Sequence, residues 1–161
     1  MLMRILALYR KLAYKPGGRW LFSTLVCLKA PYFASISPRI VSLEPQRGVA
    51  RIRHRRRVTN HIGTVHAIAL CNLAEFVGGL TCDVSLPKGM RWIPRGMQVE
   101  YLKKAVGTMT ATATPAFTPH VSEDGYELPL DVSITDDVGA EVFRARIAMW
   151  ITPAAPPKPA A

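Results

Sequence analysis

The chain has 161 residues, 49% apolar and 20% charged, which fits one compact domain and excludes both wholesale disorder and a second full-sized domain. Twenty-one Lys and Arg against 11 Asp and Glu give a formal charge of +10. That excess favours an anionic partner: a nucleic acid, an acidic membrane surface or a phosphorylated small molecule.

No stretch reaches the roughly 18 to 20 uninterrupted apolar residues that a membrane span needs. Met1 to Tyr9 has a short apolar run and Arg4 but no small-residue cleavage site, so it is expected to belong to the mature protein. Cys27, Cys71 and Cys82 are odd in number and contain no CxxC pair. They read as reduced thiols packed as small hydrophobes in a reducing compartment, the cytoplasm.

Ile5 to Lys15 has helical periodicity, with Ile5, Leu8, Tyr9 and Leu12 on one face, and Pro16-Gly17-Gly18 stops it. A second helix follows over Arg19 to Leu28 and ends before Pro31. This extension, residues 1–38, reads either as an amphipathic lid on the domain or as a membrane-surface contact through Arg4, Arg10, Lys11, Lys15 and Arg19. Ile40 to Glu44 and Gly48 to Val58 then read as strands joined by Pro45-Gln46-Arg47-Gly48, and Thr59 to Val65 as a loop. A helix over Val65 to Leu80 is apolar on every side, the mark of a buried helix, and Gly78-Gly79 is expected to end it. Four strands complete the pattern: Trp92 to Val106, Thr108 to Phe117, Glu127 to Asp136 and Glu141 to Ile151, with turns at Asp124-Gly125 and Val138-Gly139. The order predicts an α+β fold in which one antiparallel sheet, within residues 39–152, wraps a single central helix. Residues 153–161, rich in Pro and Ala, are expected to form an extended tail. A sheet edge would remain to be covered, and a second subunit is one way to cover it.

Only Asn72 and Glu75 interrupt the apolar series of the central helix, and three residues of spacing place them on one face. A buried carboxylate needs a hydrogen bond, a partner charge or a function, so Glu75 reads either as a catalytic acid or base or as a structural carboxylate at a subunit seam. The first-turn amides of Val65, His66 and Ala67 have no intrahelical acceptor and sit at the positive end of the helix dipole, where an oxyanion would be stabilised. Glu75 lies two turns beyond Ala67, so one reacting centre touches both only along the helix or across two subunits.

The run Asn60-His61-Ile62-Gly63-Thr64-Val65-His66-Ala67-Ile68-Ala69-Leu70-Cys71-Asn72-Leu73-Ala74-Glu75 resembles the central motif of hotdog-fold thioesterases. It is most similar to the branch typified by the phenylacetate-degradation thioesterases, and within it to an uncharacterised family of hotdog-like domains. That branch carries an Asn, a Gly-containing loop, His-Gly-Gly, and a Leu-Ala-Asp or Leu-Ala-Glu nine residues after the His. Here His66 and Glu75 are nine apart, Leu73-Ala74 is in place, and Asn60 lies six before His66. The resemblance implies an acyl-CoA or related thioester hydrolase working across a homodimer or a dimer of dimers. It needs no metal or redox cofactor, coenzyme A being part of the substrate. Glu75 would be the general base or the nucleophile, the Ala67 N–H the oxyanion donor, Asn60 the group that orients water or carbonyl, and His66 its support. Gly63 and Asn72 would line the substrate site. The chain departs from the branch in having His66-Ala67-Ile68 for His-Gly-Gly, which adds bulk beside the donor. A non-catalytic acyl- or lipid-binding dimer is the alternative.

Arg51, Arg53, Arg55, Arg56 and Arg57 cluster on and after the second strand, and Lys103-Lys104 fall later. Arg55, Arg56, Arg57 and Lys103 are candidate contacts for the phosphates of coenzyme A or for an acyl carrier protein, or else a solvated basic face. No aromatic side chain interleaves with the Arg51 to Arg57 run, which argues against nucleic acid.

Overall fold

The computed structural model describes residues 2–154, with side chains described from Ile5 onward. Two helices, α1 (Leu2–Ala13) and α2 (Gly18–Lys29), lead through a short 3-10 helix (Pro31–Ser35) into strands β1 (Arg39–Glu44) and β2 (Arg47–Ile52). The central helix α3 (Ala67–Ser85) follows, then β3 (Met90–Tyr101), β4 (Met109–Pro115), β5 (Tyr126–Thr135) and β6 (Glu141–Pro153). All six strands form one antiparallel sheet in the order β1-β2-β4-β5-β6-β3, with α3 packed along its concave face.

Alternation in the sequence decides which side of each strand meets α3. Leu128, Leu130, Val132 and Ile134 on β5 point inward, while Glu127, Asp131 and Ser133 do not. On β4 the inward residues are Met109, Ala111 and Ala113, alternating with Thr110, Thr112 and Thr114. The N-terminal helices share this core: Tyr9 and Phe22 are buried with ring centroids 5.2 Å apart, and the Ser23 hydroxyl accepts the Ile40 N–H at 2.9 Å.

Several boundaries differ from the sequence reading. Helix α3 does not end at Gly78-Gly79 but continues to Ser85. A Cβ on Gly78 would lie 2.9 Å from Ile147 Cδ1, and one on Gly79 would lie 3.0 Å from Trp92 Cη2. The two glycines are therefore sites of close helix–sheet approach rather than a terminus. The extended α3 is long and apolar enough to cross a membrane by composition, yet 78% of that window is buried within this fold. Strand β2 stops at Ile52 rather than Val58, because its neighbour β4 begins at Met109 and offers no ladder further on. Strand β3 stops at Tyr101 rather than Val106, where the Leu102 and Lys103 amides both turn to the Val142 carbonyl. Pro153, assigned to the tail, pairs with Met90 as the last residue of β6; residues 155–161 lie outside the described residues.

Candidate functional site

The residues singled out on α3 are not all buried. Leu70, Leu73, Ala74, Phe76 and Val77 are buried, but Ile68 and Glu75 are exposed in the protomer and Cys71 is half-buried. Ile68, Cys71 and Glu75 follow at three- and four-residue steps, so they form one open stripe along the helix. Tyr101, at the end of β3, borders it: its hydroxyl lies 3.3 Å from Cys71 Sγ, a contact that with burial pushes the phenol up to about 12. The expectation of a helix buried all round is thus corrected at this stripe, because among the described residues no element covers it. The buried carboxylate of α3 is instead Asp83, beyond the glycines, where Trp92 donates its indole N–H to Oδ1 at 3.4 Å and Oδ2 meets no hydrogen-bond partner among the described residues.

The N-terminus of α3 is built by the preceding loop. Asn60 is its organiser: its Oδ1 accepts the Ile62 and Thr64 amides at 3.1 Å each, and its Nδ2 donates to Thr64 Oγ1 at 2.8 Å. One Nδ2 hydrogen is left over. Thr59 and Val65 close the loop as an antiparallel bridge. Gly63, at φ 79°, turns its carbonyl to His54 Nε2 at 2.9 Å, while His54 Nδ1 accepts the Gly107 N–H at 3.0 Å. His54 is therefore a strut tying the 60–66 loop to the β3–β4 connection. Nothing in the local sequence marked it, since an isolated histidine carries no spacing signal.

Of the three amides expected to be free, two are occupied. The Val65 N–H donates to the Ala105 carbonyl and the His66 N–H to the Val58 carbonyl, both at 2.8 Å. His66 caps α3, its Nδ1 accepting the Ile68 N–H at 3.1 Å, so the neutral ring carries its proton on Nε2. Among the described residues the Ala67 N–H meets no acceptor, and it is the first residue of the helix.

Beside this terminus lies an open hollow of about 330 Å³ whose lining includes Tyr32, Ser35, Arg57, His66, Ile68 and Asn72. Asn72 is buried, donates through Nδ2 to Ser35 Oγ at 3.1 Å, and its Oδ1 meets no partner among the described residues. The structure thus brings His66, Asn72 and Arg57 together around the Ala67 end of α3. Glu75 stands apart, eight residues or about 12 Å along the helix from Ala67. The arginine run divides: Arg57 lines this hollow, Arg55 lines another beside Trp20, and Arg56 is exposed in the 3-10 turn Arg56–Val58. Lys103 is exposed just before the residues that pin Val65. Among the described residues no cluster of three or more His, Cys, Asp or Glu is arranged to hold a metal.

Residues 18–151 match the family described as Domain of unknown function (DUF4442), and the chain belongs to that family. A crystal structure known as genomics APC5556 is 41% identical over 95% of this chain and 99% of that one, with a TM-score of 0.79. A thioesterase from Haemophilus influenzae is 16% identical over 79% of this chain and 86% of its own, with a TM-score of 0.67. A mutant thioesterase from Pseudomonas aeruginosa is 18% identical over 80% of this chain and 91% of its own, with a TM-score of 0.68. These similarities make the fold a hotdog fold. No curated protein sequence matches.

Proposed function

We propose that the protein hydrolyses acyl-CoA or a related acyl thioester at the interface of a homodimer. One observation carries this reading: Ala67 keeps an open N–H at the start of α3 while the amides of Val65, His66 and Ile68 are all occupied. A single donor aimed from a helix N-terminus beside a hollow suits a thioester carbonyl whose oxygen gains negative charge on attack. Glu75 of the facing copy supplies the base. It takes a proton from water, the resulting hydroxide adds to the carbonyl carbon, and the oxyanion rests on the Ala67 N–H. Collapse breaks the C–S bond, and the thiolate leaves with the proton from Glu75. Attack by the Glu75 carboxylate itself, followed by hydrolysis of the anhydride, is the other route. The exposed stripe of Ile68, Cys71 and Glu75 and the unpaired outer edge of β3 support pairing with a second copy, which would desolvate Glu75. Arg57 suits the anionic end of the substrate. The thioesterase activity of structural neighbours supports the same class.

Ile68 favours a second reading. The residue is 56% exposed, follows the Ala67 donor and lines the same hollow, where its bulk suits a dimer that holds acyl groups without cleaving them. A panel of short, medium and long acyl-CoAs, followed by thiol release, separates the two. Hydrolysis of any member supports the enzyme; saturable binding without thiol release supports the binder.

A further inference from the structure

The exposed face of α2 is apolar, the reverse of a helix solvated on that side. Gly18, Phe22 and Ser23 face the core, whereas Trp20 (50% exposed), Leu21 (40%), Leu25 (38%) and Leu28 (73%) face outward. The helical steps 20, 21, 25, 28 place these four on one continuous stripe, and Tyr32 (72%) extends it beyond the helix end. Thr24, within the stripe, turns its hydroxyl back to the Trp20 carbonyl at 3.0 Å, so little free polarity remains there.

The chain segment that carries this stripe is rich in basic residues. Seven basic residues, Arg4, Arg10, Lys11, Lys15, Arg19, Lys29 and Arg39, precede the first acidic residue of the chain, Glu44. Arg10, Lys11, Lys15 and Arg19 form no ion pair among the described residues. Beneath Trp20 the guanidinium of Arg39 lies 5.9 Å from the indole centroid, and Arg39 and Arg55 together line a hollow of about 260 Å³ with Thr24 and Ser37. A tryptophan above two arginines, flanked by leucines and lysines, combines the features that hold a protein at a lipid interface: an indole at headgroup depth, apolar side chains below it and cations against anionic phosphates. Helix α2 packs on β1, the sheet edge opposite β3, so Trp20, Leu21, Leu25 and Leu28 lie away from the edge through which a second copy is proposed to pair.

We propose that this face docks on an anionic phospholipid membrane, with Trp20, Leu21, Leu25 and Leu28 in the interface and Arg39 and Arg55 receiving a lipid phosphate. Docking does not depend on the chemistry at α3. The test is co-sedimentation of the full chain with vesicles of phosphatidylcholine alone or mixed with phosphatidylglycerol, at low and high salt. Wild-type protein is expected to bind the mixed vesicles about tenfold more tightly than the neutral ones and to lose that advantage at high salt. A Leu25→Ser/Leu28→Ser variant should lose most binding to both, and an Arg39→Gln/Arg55→Gln variant should lose the anionic preference alone. Melting curves and light-scattering mass for each variant complete the experiment. No binding to mixed vesicles, or binding that neither variant weakens, overturns the proposal. So does a change in oligomeric mass in the leucine variant, which would make the stripe an interface between copies.

Discussion

Glu75 and Asp83 lie eight residues apart on α3 in opposite environments: Glu75 is open to solvent in the protomer, whereas Asp83 is buried with one carboxylate oxygen unpartnered among the described residues. Burial raises the Asp83 pKa above its ordinary value, opposed by the Trp92 hydrogen bond and the charge of Lys29. The folded state then binds this proton more tightly than the unfolded chain does. Its stability falls as pH rises from the unfolded value near 3.8 through the raised folded one, and the loss persists above it. Asp83→Asn keeps an acceptor for Trp92 and removes the charge. It should raise stability by about 1 kcal/mol at neutral pH, with the gain vanishing in acid below the unfolded value. Denaturant melts of both proteins across pH measure this.

His54 bridges Gly63 and Gly107 with both ring nitrogens, so the loop that shapes the start of α3 depends on a residue far from any motif. His54→Ala leaves a carbonyl and an amide without partners and should lower stability by about 1 to 2 kcal/mol. Amide exchange should quicken at Gly107 and along the 60–66 loop while β5 and β6 keep their protection. Uniform loss of protection would mean that His54 supports the whole fold instead.

Asn60 holds its own loop through three side-chain hydrogen bonds. Asn60→Ala should therefore cost about 1 to 2 kcal/mol in a denaturant melt as well as activity. Activity lost with stability unchanged would place its role in substrate positioning alone.

Much of this architecture is legible in the sequence, because period-two alternation on β4 and β5 and the apolar run of α3 follow from which side each element buries. The spacing of Asn60, His66 and Glu75 is legible for the same reason: it fixes positions on one loop and one helix. The missing parts depend on distant neighbours. Gly78-Gly79 resembles a helix end locally, and only the proximity of Ile147 and Trp92 makes it an interior. That misplaced end hid Asp83. The use of the Val65 and His66 amides by Ala105 and Val58 is equally a tertiary fact, invisible to helix-end chemistry alone.

The single open amide permits a backbone test. Ala67 is the first helical residue, where proline is well accommodated, and His66 has φ −63° and ψ 139°, the extended geometry favoured before proline. Ala67→Pro should preserve the melting temperature to within a few degrees and lower thioester hydrolysis about a hundredfold to a thousandfold. Steady-state kinetics beside a thermal melt read both. Activity close to wild type would remove Ala67 from the oxyanion site.

In the proposed reaction the Glu75 carboxylate acts across a pair of subunits. The most direct measurement of this is thiol release from the best acyl-CoA substrate by Glu75→Gln, with molar mass in solution determined on the same samples. Both proteins should be dimers, and kcat should fall about a hundredfold to ten-thousandfold in the variant. Undiminished turnover by Glu75→Gln, or an active wild-type monomer, would contradict this mechanism.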